Sequence, residues 1–191
     1  MTSESPVASL DRAMSVTDAP LHRLTYEDVM AMVEAGILQE DDRVELIDGV
    51  LVDMSPISPL HSDLVAWLAD HFVGQIEGAQ ARVQDLLRVE GGFVVPDLMV
   101  IEPPARGVHP TTALLIAEVS VTTLRYDQRK ATRYARAGVN EYWVVDGPGR
   151  RLIQHLGPTP DGYSRIETLA ADATVQAQAG GAPVELKQLF G

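Results

Sequence analysis

The sequence predicts an α/β domain, a central mixed sheet flanked by helices. Hydrophobic residues make up 46% of the 191-residue chain, enough for a sizeable core, and only 5% are aromatic, so that core is mainly aliphatic. Short aliphatic runs recur near 93–101, 112–119 and 141–146, lengths that suit strands better than helices. A helical pattern near 124–137 separates two of these runs, the arrangement expected of a sheet covered by helices.

Residues 1–20, rich in Ser, Ala, Asp and Pro, read as a disordered tail, and 21–191 as one domain. A first helix is expected from Thr25, with Asp28 completing a capping box, as far as Gly36; Tyr26, Val29, Met30 and Val33 form its apolar stripe. Arg43 to Val52 reads as a hairpin, because Asp48-Gly49 supplies the two positive φ angles of a type I′ turn. That turn sets Ile47 against Val50 and Glu45 against Val52. Ser58-Pro59 opens a second helix with apolar residues at 60, 64, 68, 72 and 76. Strands follow near 81–90, 93–101, 112–119, 141–146, 150–156 and 163–169, and the 124–137 helix ends at Gly138. Gly91-Gly92, Pro103-Pro104 and Gly147-Pro148-Gly149 separate strands.

Composition removes several classes of function. The chain has no cysteine, hence no disulfide, thiolate metal site or thiol nucleophile. Met1 to Ser15 carries Glu4, Asp11 and Arg12 and no apolar stretch like that of a signal peptide. No apolar run approaches the roughly 20 residues of a membrane helix, so the cytoplasm is the expected compartment, with no membrane partner. A net charge of −12 argues against a generic nucleic-acid coat protein. It leaves a nuclease open, because acids at a metal site add negative charge and basic residues can cluster locally. No phosphate-cradling glycine loop, Gly-x-Ser-x-Gly elbow or His-Glu-x-x-His motif is present.

The chemistry-bearing residues stand inside apolar runs. Asp97 follows Pro96 in Phe93 to Ile101, and Glu118 interrupts Ala113 to Val119. A carboxylate there is costly to desolvate without a partner or a metal. Lys130, one of only two lysines, lies just downstream. Two acids on neighbouring strands with a lysine nearby can hold a divalent cation and polarise a water, the equipment of phosphodiester hydrolysis. At 100° per residue Asp127, Lys130, Ala131, Tyr134 and Ala137 share the helix face expected to pack on the sheet. A snorkelling lysine, or an Asp127–Lys130 pair, is the alternative. Arg125, Arg129, Arg133 and Arg136 share the opposite face, which reads as solvated, with phosphate contact as the alternative. Glu45 falls on an apolar face of the hairpin, where an edge-strand glutamate bending to solvent would also account for it. His61 shares a face with Val65, Leu68 and Phe72, as a hydrogen-bonded core histidine or a ligand. His22, His71, His109 and His155 have no metal-site spacing.

The order of several motifs resembles the Uma-two endonuclease family. These are Glu45-Leu46-Ile47-Asp48-Gly49, Met54-Ser55-Pro56 before His61, Pro96-Asp97, Glu118-Val119-Ser120, Asp127-x-x-Lys130, Tyr134 and Gly138 to Asp146. The resemblance covers roughly 21–190, including Leu186-x-x-Leu189-Phe190, and the family is similar to the PD-(D/E)XK restriction-endonuclease-like superfamily. It implies that fold, and Mg²⁺- or Mn²⁺-dependent hydrolysis of DNA. Asp97 and Glu118, with the Val119 carbonyl, are then the metal ligands, Lys130 the catalytic lysine and Glu45 a further acid. Ser120 stands where the superfamily places a lysine, and Lys130 replaces it from the following helix. His61, Ser120, Asp127 and Tyr134 are candidate supporting residues, and a homodimer is a candidate assembly. The alternatives are a catalytically silent interaction module of the same fold and a metal-dependent hydrolase of a small phosphoester.

Overall fold

A computed structural model describes residues 21–39 and 41–191; the tail expected over 1–20 lies outside them. Helix α1 (Tyr26–Glu34) begins at the expected capping box. The Thr25 hydroxyl accepts from Asp28 N–H at 3.1 Å, and the Asp28 carboxylate accepts from Thr25 N–H at 2.8 Å. Strands β1 (Val44–Ile47) and β2 (Val50–Asp53) form the hairpin in the register read from the turn, Glu45 opposite Val52 and Ile47 opposite Val50. Asp48 and Gly49 take φ angles of 50° and 77°, as a type I′ turn demands. Helix α2 (Pro59–Phe72) starts at Ser58, whose hydroxyl accepts from His61 N–H. It is shorter than the expected stripe: Leu60 is exposed, and Ile76 lies past the helix end.

Two expected strands are each broken in two. The 81–90 run divides into β3 (Gln80–Val83) and β4 (Leu87–Val89), around Gln84 at φ 48°. The 93–101 run divides into β5 (Gly92–Val94) and β6 (Leu98–Ile101). Pro96 has no N–H to give a ladder, and the chain changes sheets there. β5 belongs to a four-stranded sheet of order β2-β1-β5-β4. β6 belongs to a six-stranded sheet of order β10-β9-β8-β7-β6-β3, built with β7 (Leu115–Ser120), β8 (Glu141–Asp146), β9 (Arg151–Thr159) and β10 (Gly162–Ala170). Asp97 therefore stands at the seam between the sheets.

Helix α3 (Leu124–Arg136) connects β7 to β8, the parallel pair in a sheet that is otherwise antiparallel. Strand alternation divides the core by side. Leu64, Val65, Leu68 and Phe72 of α2 pack on Leu98, Val100, Leu115 and Ala117. Tyr134 and Ala131 of α3 pack on Met99, Ile116, Tyr142 and Val144 of the opposite face. Burying one such aliphatic side chain stabilises the fold by about 1.5–3 kcal/mol, so both helices are held by their apolar stripes.

A C-terminal segment not anticipated as structure, β11 (Thr174–Val175), β12 (Val184–Glu185) and α4 (Leu186–Leu189), closes the α2 side. The fully buried Glu141 carboxylate ties it down, accepting from Trp143 Nε1 (2.6 Å), Gln154 Nε2 (2.6 Å) and Gln178 N–H (2.7 Å).

Candidate active site

The β5–β6 break, β7, α2 and α3 bring most of the anticipated residues to one place. Asp97 Oδ2 accepts from Val119 N–H at 2.9 Å and lies 3.0 Å from His61 Nε2. On β7, Glu118 Oε1 accepts from Lys130 Nζ at 3.0 Å and from the Tyr134 hydroxyl at 2.5 Å. Lys130 also donates to Glu45 Oε1 at 3.1 Å, and that oxygen accepts from Val95 N–H at the seam. Glu45 is 3% exposed, Asp97 6% and Glu118 4%. Glu45 thus turns into the protein and does not bend to solvent, and the 45–118 gap in sequence closes on one ammonium.

Asp127 and Ser120 belong to a neighbouring cluster. Asp127 Oδ2 accepts from the Ser120 hydroxyl at 2.6 Å and the Thr123 hydroxyl at 2.5 Å, pinning the turn from β7 into α3. The alternative Asp127–Lys130 pair does not form. Tyr126 was missed by the sequence reading. Its ring lies 5.3 Å from Lys130 Nζ and its hydroxyl donates to Glu45 Oε2 at 3.3 Å. The i,i+4 spacing of Tyr126 and Lys130 was the available signal.

Charge is unevenly compensated here. Burial, then the charges of Asp97, Asp127 and Glu45, push Glu118 up to about 8 against the pull of Lys130. Burial also acts to raise Asp97, but the His61 and Val119 hydrogen bonds and the charge of Lys130 outweigh it and hold Asp97 below its ordinary value. Desolvation disfavours the Lys130 ammonium, yet Glu118, Glu45 and Asp127 more than offset that and keep it protonated. His61 Nδ1 is buried without a partner.

Among the described residues no three His, Asp or Glu side chains form a ready metal cage. Mg²⁺ needs no such cage: it is commonly held by one or two carboxylates, with water and substrate phosphate filling the rest. The donor set is of the right type for a hard divalent cation, since the carboxylates of Glu45, Asp97 and Glu118 converge near a single lysine, which contacts Glu45 and Glu118. A cleft of about 1130 Å³ opens beside the cluster, with Tyr126 and Lys130 in its wall; Asp97 and Glu118 do not line it.

The mixed sheet, the passage of the chain between two sheets at Pro96 and the helix joining the parallel pair β7 and β8 give this protein a nuclease-like α/β fold. The same fold occurs in a solved structure titled a "putative nuclease belonging to DUF820" from Anabaena variabilis. Its TM-score is 0.72 at 14% identity, covering 87% of this chain and 97% of that one. The Uma2 family model, described as "Putative restriction endonuclease", matches residues 26–185, and the chain belongs to that family. No curated protein matches the sequence.

Proposed function

We propose that this protein is a divalent-metal-dependent nuclease that hydrolyses phosphodiester bonds of DNA. The observation that carries the reading is the Lys130 ammonium held between Glu118 and Glu45, next to Asp97 at the sheet seam. Asp97 and Glu118, with the Val119 carbonyl as a third oxygen, would hold Mg²⁺ or Mn²⁺, which would supply Lewis acidity to the phosphate and lower the pKa of the attacking water. An ammonium has three N–H donors, and two of those of Lys130 go to Glu45 and Glu118. The third is left to orient that water or to offset charge building on the phosphate. Water oxygen bonds to phosphorus, the P–O ester bond breaks, and the departing oxygen takes up a proton. Glu45 and Tyr126 hold Lys130 in place, while His61 and the Val119 N–H aim Asp97.

The test is cleavage of a labelled DNA duplex and single strand in Mg²⁺ or Mn²⁺. Cleavage is expected with either metal and lost in EDTA and in Asp97→Asn. Metal-independent cleavage, or full activity in Asp97→Asn, defeats the assignment. One observation favours a second reading, an interaction module that binds without cutting: the acids are nearly enclosed and do not line the cleft. Nucleic-acid binding with no cleavage in any divalent metal selects that reading.

A further inference from the structure

We infer that the cleft beside Lys130 is the seat of a nucleic-acid backbone, running along Arg23, Arg88, Arg129, Lys130, Arg133 and Arg136; the inference rests on the nuclease reading. Charge segregation carries it. The whole chain has a net charge of −12, and only 15 of its residues are Lys or Arg. Six of these line this one cleft; with Lys130 set aside as paired to Glu45 and Glu118, five arginines face three acids, Glu27, Asp48 and Glu90, for a local balance of +2. A positive cleft on an acidic protein focuses a polyanion and repels it elsewhere.

The cations come from three separate parts of the chain: Arg23 before α1, Arg88 on β4, and four residues of α3. On α3, Arg129, Arg133 and Arg136 succeed one another by about 4.5–6 Å along the axis. That spread suits a repeating charge better than one small anion. The existing pairings are weak competitors. Arg88–Glu27 (2.6 Å) and Arg133–Asp48 (3.1 Å) involve exposed carboxylates, and such pairs contribute only about 0–1 kcal/mol. A guanidinium can exchange them for a bidentate phosphate contact. Tyr26, lying under the Arg88 guanidinium at 4.5 Å, and Tyr126 add aromatic surface to the wall. Because Lys130 belongs to both the cleft and the acid cluster, a backbone seated here passes next to the proposed chemistry.

The experiment measures fluorescence anisotropy of a labelled 20-nucleotide single strand and the matching duplex between about 50 and 200 mM salt, with Ca²⁺ replacing Mg²⁺. It compares the wild type, Arg129→Ala/Arg133→Ala and Arg82→Ala/Arg165→Ala. The last pair removes the same charge outside the cleft, and alanine, the best helix former, keeps α3 intact. The cleft variant should lower the slope of log K against log[salt] by about two. Its affinity loss should accordingly be about tenfold greater at the low-salt end than at the high-salt end. Loss on either probe supports the inference and shows which form the cleft holds. Wild-type affinity and slope in the cleft variant, or an equal loss in the control, overturns it while leaving the nuclease reading standing. A wild type that neither binds nor cuts either probe overturns both.

Discussion

At the residue scale, the site turns on one ammonium and the acid it fails to neutralise fully. Lys130→Met keeps the aliphatic stem and removes the charge. Its fold is expected to survive, because Glu118 can take a proton in place of a buried unpaired charge. DNA turnover should fall by about 10²–10³ in kcat, the usual effect of losing one preorganised transition-state donor. Cleavage at the wild-type rate would exclude Lys130 from the chemistry. Glu118 makes a second prediction. An acid raised from 4.5 to about 8 binds more protons folded than unfolded across that window. Its stabilisation is therefore complete below pH 4.5 and is lost as pH rises towards 8. Metal-free Glu118→Gln should melt higher than wild type at pH 8, and the difference should shrink at pH 5. An equal difference at both pH values, in paired thermal melts, would show that Glu118 is ionised in the native protein throughout.

Elements aim these residues, and the seam between the two sheets matters most. β5 pairs with β1 at Leu46 and Phe93, and this contact carries Glu45 over to Lys130. Gly92 permits it. The residue has φ 150°, and a Cβ there would stand 2.1 Å from the Leu46 carbonyl oxygen, a backbone atom that cannot move aside alone. Gly92→Ala should destabilise the protein by about 1–3 kcal/mol, the range for forced overpacking, and should impair DNA cleavage by loosening Glu45. Denaturant unfolding and the cleavage assay measure the two effects. A wild-type midpoint would mean that β5 shifts freely against β1. The Pro96 break has the complementary role: it ends one ladder and leaves Asp97 free to meet His61 and the Val119 N–H.

For the whole molecule, metal and charge are the global variables. A ligand bound only by the native state stabilises it by about 2.7 kcal/mol at a hundredfold excess over Kd. Mg²⁺ should therefore raise the melting temperature, and Asp97→Asn should lose most of that shift. In EDTA the variant should be less stable than wild type at neutral pH, because it loses the charge that His61, the Val119 N–H and Lys130 stabilise in holding Asp97 below its ordinary value. An undiminished Mg²⁺ shift in Asp97→Asn would place the cation elsewhere. Among the described residues no helix is long and apolar enough to cross a membrane.

Much of this molecule was determined locally and could be read from neighbouring residues. Thr25 with Asp28 sets a helix start, Asp48-Gly49 sets a hairpin and its register, and acids inside aliphatic runs mark a candidate site, because each effect acts within a few residues. The sheet change at Pro96 was hidden, since an aliphatic run has the same pattern whether one strand or two. The tertiary structure alone decided which partners meet. Lys130 reaches Glu45 across 85 positions and His61 reaches Asp97 across 36. Whether a buried carboxylate faces a cation, a histidine or a hydroxyl depends on packing that closes such distances. The arginine face of α3 shows the same division: helical spacing placed its members together, but only the opposing Arg23 and Arg88 made a cleft of it.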